Sequence, residues 1–271
     1  ERLIAHLEAS EFRPGAQWSV EDFRGRVARY EALTEPLARM AGALGRWGEG
    51  SDLPLVRDIL QTIVAHADKV GSGLSVYLHL RTYPAVLIFT SYGLGLTRAR
   101  RWQTLHKMFS AEIAREHREP RRVVEKLFMW AWEGADNNLW QTLDGYERRK
   151  TALSDHLFDV FTEWSRSFSG IAPEFEMLFE KFEILASLAH FERNDQADVE
   201  SALNNQHPHD FVRMPVGRSG WNSRTRERLF QEIKTDPMHR ELLKAGFAHG
   251  KEHFLDLSLA NYARIASRME I

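Results

Sequence analysis

A chain of 271 residues, 43% of them hydrophobic, has room for one large domain or two small ones and can bury a sizeable core. Its formal net charge of −2, against 27% charged residues, excludes a chain-wide electrostatic pull toward nucleic acid and excludes an acidic tail. With no cysteine, disulfides, cysteine-ligated zinc and thiol catalysis are excluded, and a cytoplasmic location is the expectation.

The opening Glu1-Arg-Leu-Ile-Ala-His-Leu-Glu8 lacks the apolar run of a signal peptide. It starts inside an amphipathic pattern (Leu3, Ile4, Leu7), so the chain is expected to be a fragment of a longer one. Ser19-Val-Glu-Asp22 resembles a capping box. Behind it Val20, Phe23, Val27, Tyr30, Leu33, Leu37, Met40, Leu44 and Trp47 recur in steps of three and four, one face of a long helix that Pro36 is expected to kink. Gly48-Glu-Gly-Ser-Asp52 ends it. Ser51 or Asp52 caps the next helix, whose stripe reads Leu55, Ile59, Leu60, Ile63 and Val64.

The stretch from Val76 to Leu96 is the most apolar, yet it carries His79, Arg81 and Pro84. Thr82 to Thr97 holds 16 uncharged residues, roughly 24 Å of helix and too short for a bilayer. Proline belongs in a first helical turn, so two helical pieces are expected to meet near Arg81–Tyr83, with Leu87, Ile88 and Phe89 buried. Arg81, flanked by apolar residues, needs an internal carboxylate or carbonyl partner, or else marks a ligand site.

Trp102, Leu105, Met108, Phe109 and Ile113 predict a further helix, and Glu119-Pro120 is expected to open one holding Val124, Leu127, Phe128 and Trp130. Helical patterns continue through Leu139–Tyr146, Ser154–Phe168 (Ser154 as N-cap) and Pro173–Phe191. Between Asn204 and Asn222 the pattern fails and loop chemistry takes over. Helices resume at Ser223–Lys234, Pro237–Phe247 and Glu252–Met269. No period-2 alternation of any length appears, so a sheet is not expected. The reading is a single all-α domain over 1–271, an irregular multi-helix bundle or solenoid-like array. It has one long loop near 204–222 and a candidate sub-boundary near 196–222.

Candidate chemistry is sparse. His249-Gly-Lys-Glu-His253 matches the H-x-x-E-H pattern, in which two histidines one turn apart hold zinc and the glutamate acts as base. The flanking Gly246 and Gly250 argue for a helix junction there, and a third ligand is missing nearby. His207-Pro-His-Asp210 offers two imidazoles and a carboxylate, a pattern more often simply solvated. No metal or other cofactor is therefore assigned. Val216-Gly-Arg-Ser-Gly-Trp221 lacks the Lys-Ser/Thr and the strand of a phosphate loop. Arg213, Arg218, Arg224, Arg226 and Arg228 flank Trp221, a cationic loop with an aromatic that suits nucleic acid. Further basic clusters stand at Arg98–Arg101, Arg115–Arg122 and Arg148-Arg-Lys150. Asp136-Asn-Asn138 among Trp130, Trp132 and Trp140 reads as a helix cap or a small-ligand pocket.

Tyr83-Pro-Ala-Val-Leu87, Tyr92-Gly-Leu-Gly95, Tyr146–Val160, Leu178–Leu185 and Pro215-Val-Gly-Arg-Ser-Gly-Trp221 together resemble the helical C-terminal region of large bacterial multidomain proteins. In those proteins a nucleotide-handling or sirtuin-like NAD-hydrolysing domain precedes a helical module, and several are implicated in anti-phage defence. The resemblance implies a non-catalytic recognition, oligomerisation or regulatory domain, with catalysis in an N-terminal effector. Its expected partners are that effector and further copies of itself, and no membrane. Two alternatives stand beside it: a nucleic-acid-binding module built on the loop around Trp221, and a zinc hydrolase using His249, Glu252 and His253.

Overall fold

Ser19 begins the first long helix as the capping pattern requires: its hydroxyl accepts from the Asp22 amide at 3.0 Å. The structure, a computed structural model, describes residues 2–7, 17–69, 72–115, 118–166, 174–193 and 216–269. The elements in chain order are α1 (Arg2–Leu7), α2 (Val20–Trp47), α3 (Leu53–Asp68), α4 (Ser75–Leu80), α5 (Tyr83–Arg98) and α6 (Trp102–Ser110). A hairpin of β1 (Glu112–Arg115) and β2 (Arg118–Arg122) follows, then α7 (Val123–Leu127), α8 (Asn137–Trp140), α9 (Ala152–Trp164) and α10 (Phe175–Phe191). After a 3-10 turn at Arg218–Gly220 come α11 (Ser223–Lys234), α12 (Met238–Ala245), a second 3-10 turn at Phe247–Gly250, and α13 (Glu252–Met269). The architecture is an all-α, irregular multi-helix array.

α5 is the axis. Every residue from Tyr83 to Thr97 is buried, and Leu87, Ile88 and Phe89 are 0% exposed. α4 and α5 meet at Arg81–Thr82, with Pro84 in the first turn. α2 lies against α5 almost backbone to backbone. A Cβ on Gly45 would strike the Tyr92 carbonyl, and one on Gly95 the Gly42 carbonyl. Ser91 locks the seam by donating to the Ala38 carbonyl at 2.6 Å. On the other side Gly93 makes room for the Phe182 ring of α10. Tyr92-Gly-Leu-Gly95 is thus a close-approach motif, facing α2 through one glycine and α10 through the other.

This seam rearranges the stripe expected for α2. Beyond Tyr30 the buried line runs through Thr34, Ala38, Ala41, Gly42 and Gly45, while Met40 is 63% and Trp47 60% exposed. Leu33, Leu37 and Leu44 are only half-buried. The physical reason is distance: only small residues fit where two backbones touch, so the large apolar ones are turned to the flank. Pro36 sits inside one continuous helix. In α3 Leu60, Ile63 and Val64 face the core as expected, joined by Val56 and Ala67, while Ile59 is half-buried and Leu55 faces outward.

The hairpin is the clearest departure. β1 and β2 pair antiparallel, with Glu112 opposite Arg122, Ile113 opposite Arg121 and Arg115 opposite Arg118. α6 stops at Ser110, so Ile113 is a strand residue, and the helix expected from Glu119 begins only at Val123. Gln61 of α3 secures the strand edge: its side chain accepts from the Ala114 amide at 2.7 Å and donates to its carbonyl at 2.9 Å. Beyond α8 the expected helix to Tyr146 is a series of turns, with Gly145 at φ 87°. Thr151, not Ser154, precedes the first turn of α9.

Candidate functional site

α10 carries Glu176, Glu180 and Glu183 at helical spacing within a mostly aromatic and aliphatic sequence. The carboxylates therefore fall on one side of the helix, and the segment 216–222 supplies Arg218 to meet them. Arg218 Nε donates to Glu180 Oε1 at 3.1 Å and Nη2 to Glu176 Oε1 at 2.9 Å; Nη1 lies 3.7 Å from Asp155 Oδ1. The guanidinium sits 3.7 Å above the Phe158 ring. Asn222 adds bonds to Glu180 at 2.9 Å and Glu176 at 3.1 Å.

Glu183 is the deepest member. Ser154 donates its hydroxyl to Glu183 Oε1 and accepts the Arg218 amide at 3.0 Å. Gly217 is obligatory beside it, because a Cβ there would overlap the Glu183 carboxylate. Ser219 pairs with the Tyr262 hydroxyl of α13, and Arg226 donates to the Ser219 and Gly220 carbonyls. The segment 216–222 is thereby fastened to α9, α10, α11 and α13 at once.

The hub holds one arginine against four carboxylates, with Glu180 and Glu183 both 0% exposed. Burial, opposed by Asn222 and Arg218, raises the Glu180 carboxyl to about 7. Burial, opposed by Ser154 and reinforced by the Glu180 charge, raises Glu183 to about 8. Asp155 is also raised by burial. Among the described residues the second oxygens of Glu180 and Glu183 have no hydrogen-bond partner, as fits carboxyls that keep a proton. Burial and then the Glu183 charge lift the Tyr262 hydroxyl well above its usual range.

At the surface beside the hub, Trp221 Nε1 donates to Thr151 Oγ1 at 2.9 Å, and Thr151 donates to Asp155 at 3.0 Å. Arg148, Arg149, Lys150, Asp155, Trp221 and Ser223 enclose a cleft of about 480 Å³.

The residues expected at a nucleic-acid interface divide. Arg218 and Arg226 are buried and turned to internal carboxylates and carbonyls, so neither presents its charge to a phosphate. Trp221 is half-buried, Arg224 and Arg228 are exposed, and Arg213 lies outside the described residues, as do His207, His209 and Asp210. Arg81 is 3% exposed at the α4–α5 joint, and its charge acts on Tyr30, whose hydroxyl burial pushes up to about 12. Asp136 caps α8 by accepting the Asn138 amide at 3.0 Å, and Trp132 and Trp140 pack on Tyr83 in the core.

His249 and His253 do not share a helical turn. His249 has φ 55° and precedes α13, which starts at Glu252. His249 Nε2 lies 3.0 Å from the Glu192 carbonyl, Glu252 is 3.9 Å from His239, and His253 packs on Phe254. Among the described residues no group of three histidines or carboxylates converges on a common point, and no helix is long and apolar enough to cross a membrane.

The hub was missed in the sequence. The available signal was Glu176, Glu180 and Glu183 inside the most aromatic of the described helices, one side bearing three carboxylates of which Glu180 and Glu183 are buried. The comparisons add nothing to these observations: no protein-family model, curated protein or solved structure matches the chain.

Proposed function

We propose that this chain is a non-catalytic recognition and assembly module that pairs with a second copy of itself through the outer face of α2. One observation carries the reading: the apolar stripe of α2 is only partly consumed by the fold. Leu33, Leu37, Met40, Leu44 and Trp47 repeat in steps of four, three, four and three, the spacing of a two-helix seam. Met40 and Trp47 are more than half exposed, and Leu55 at the start of α3 is 57% exposed. Between Gly25 and Trp47 the exposed positions are Gly25, Ala28, Arg29, Ala32, Pro36, Met40 and Trp47, with one charge among them. An ordinary surface helix carries charges on that side. A two-fold axis sets like surface against like, and this face has little charge to repel its copy: Arg29 is the one charged residue among the exposed positions, and Arg39 at its flank is paired with Glu35.

The hub supports the same reading, because its charged groups are occupied by one another beneath the surface. In the setting implied by the resemblance to anti-phage multidomain proteins, pairing of α2 would bring two N-terminal effectors together and so control them. Sedimentation over a wide concentration range is the test. The expected result is a dimer that becomes a monomer on joint Met40→Glu and Trp47→Glu substitution, with an unfolding midpoint unchanged at concentrations low enough that wild type is itself monomeric. A wild-type chain that stays monomeric, or a double variant that still dimerises, would sink the proposal.

A further inference from the structure

Arg148, Arg149 and Lys150 stand consecutively on the connection between α8 and α9, all exposed. Among the described residues the guanidiniums of Arg148 and Arg149 make no ion pair and no hydrogen bond. The one carboxylate in the same cleft wall, Asp155, is engaged by Thr151 at 3.0 Å and lies 3.7 Å from Arg218. The cleft is thus lined by three positive charges and one carboxylate, Asp155, on which Arg149 also acts, while Glu147 stands beside Arg148 in the adjoining hollow, so positive charge is in excess at the cleft. Adjacent like charges held on one wall repel, and a multivalent anion relieves that repulsion. Arginine forks match phosphate oxygens in pairs.

The cleft also has an aromatic lining residue, and it is fixed. The Trp221 ring cannot swing freely, because its Nε1 is tied to Thr151 and Thr151 is tied to Asp155. The Arg218 guanidinium lies 5.7 Å from the ring centroid. A π surface held this way serves as a stacking platform at little entropic cost. The volume of about 480 Å³ accommodates one nucleotide. A neighbouring hollow of about 600 Å³, lined by Gly145, Glu147, Arg148 and Arg149, continues from the same two arginines.

We propose that this cleft binds a nucleotide, its phosphate on Arg148 and Arg149 and its base against Trp221. Of the basic clusters the sequence offered, Arg148, Arg149 and Lys150 take the exposed role beside Trp221, while Arg218 and Arg226 of the loop itself work inside the fold. The nucleotide can be free or part of a single strand, since both present phosphate beside a base.

The experiment uses the whole chain. ADP and inorganic pyrophosphate are titrated by calorimetry, and a short fluorescein-labelled oligouridine by anisotropy, each against wild type and the Arg148→Ala, Arg149→Ala double variant. Both arginines are exposed, so the variant is expected to unfold like wild type, which circular dichroism checks. The expected result is saturable binding that the double variant weakens roughly tenfold to a hundredfold, as removal of charge-assisted bonds predicts. For the strand, the salt slope should also fall by about 0.7 for each phosphate that the variant leaves without a cation. ADP binding with that weakening identifies a free nucleotide as the occupant; binding of the strand alone with that weakening identifies a strand. Pyrophosphate binding as tightly as ADP, equal binding by the double variant, or no binding by any probe would overturn the proposal.

Discussion

Glu183 sits where an ionised carboxylate is costly, and this links folding to protons. Folded, it holds its proton to about pH 8, whereas its ordinary value is 4.5. Folding therefore takes up a proton across that window: the contribution is complete below pH 4.5 and drains away as pH rises through 8. Glu180, raised to about 7, acts in the same direction. His190 opposes them at the acid end. Burial lowers it from 6.5 to about 4, so its contribution is lost as pH falls below 6.5. Above pH 6.5 the glutamates act alone. Urea unfolding at pH 6.5 and at pH 8.5 should show a falling midpoint in wild type and a much flatter one in Glu183→Gln, which keeps the Ser154 contact without the charge. An unaltered slope in the variant would show that the hub is not its source. That hub was illegible in the sequence for a definite reason. Glutamates on a helix normally mark its solvated side, and the arginine that reverses this meaning lies 38 residues beyond Glu180.

At the level of elements, periodicity located the long helices because each buries one face over several turns. It failed at the hairpin, where among the residues whose burial is described Ile113 alone is buried, and the strands are otherwise mostly arginine and glutamate, with Ala114 and Pro120. It also misplaced the core line of α2, because alanine and glycine carry little weight in an apolar pattern. Glycine substitutions measure that seam. Gly95→Ala has no space, since its Cβ meets backbone of α2, and should cost about 1–3 kcal/mol or more by overpacking. Gly25→Ala, in the same long helix of the pair, meets nothing within 4 Å and should stabilise by roughly 0.5–1 kcal/mol. Chemical denaturation of both variants gives the comparison. Equal effects would mean that helical propensity, and not the α2–α5 contact, sets the outcome.

At the level of the whole molecule, α5 imposes an order in time. One of its sides is closed by α2, which precedes it in the chain, and another by Phe182, which follows Gly93 by about 90 residues. At ~5–20 residues per second, a ribosome needs roughly 5–20 s to make that stretch. Throughout that interval a helix that ends up buried from Tyr83 to Thr97 has one flank bare. A chain stopped at Arg166, which lacks α10, should pellet or be retained by a chaperone, while the full chain remains dispersed; an equally dispersed truncation would show that another segment shields α5. In the finished protein the amides of α5 should be among the last to exchange with deuterium. The same helix, during synthesis, is the stretch that most needs sheltering.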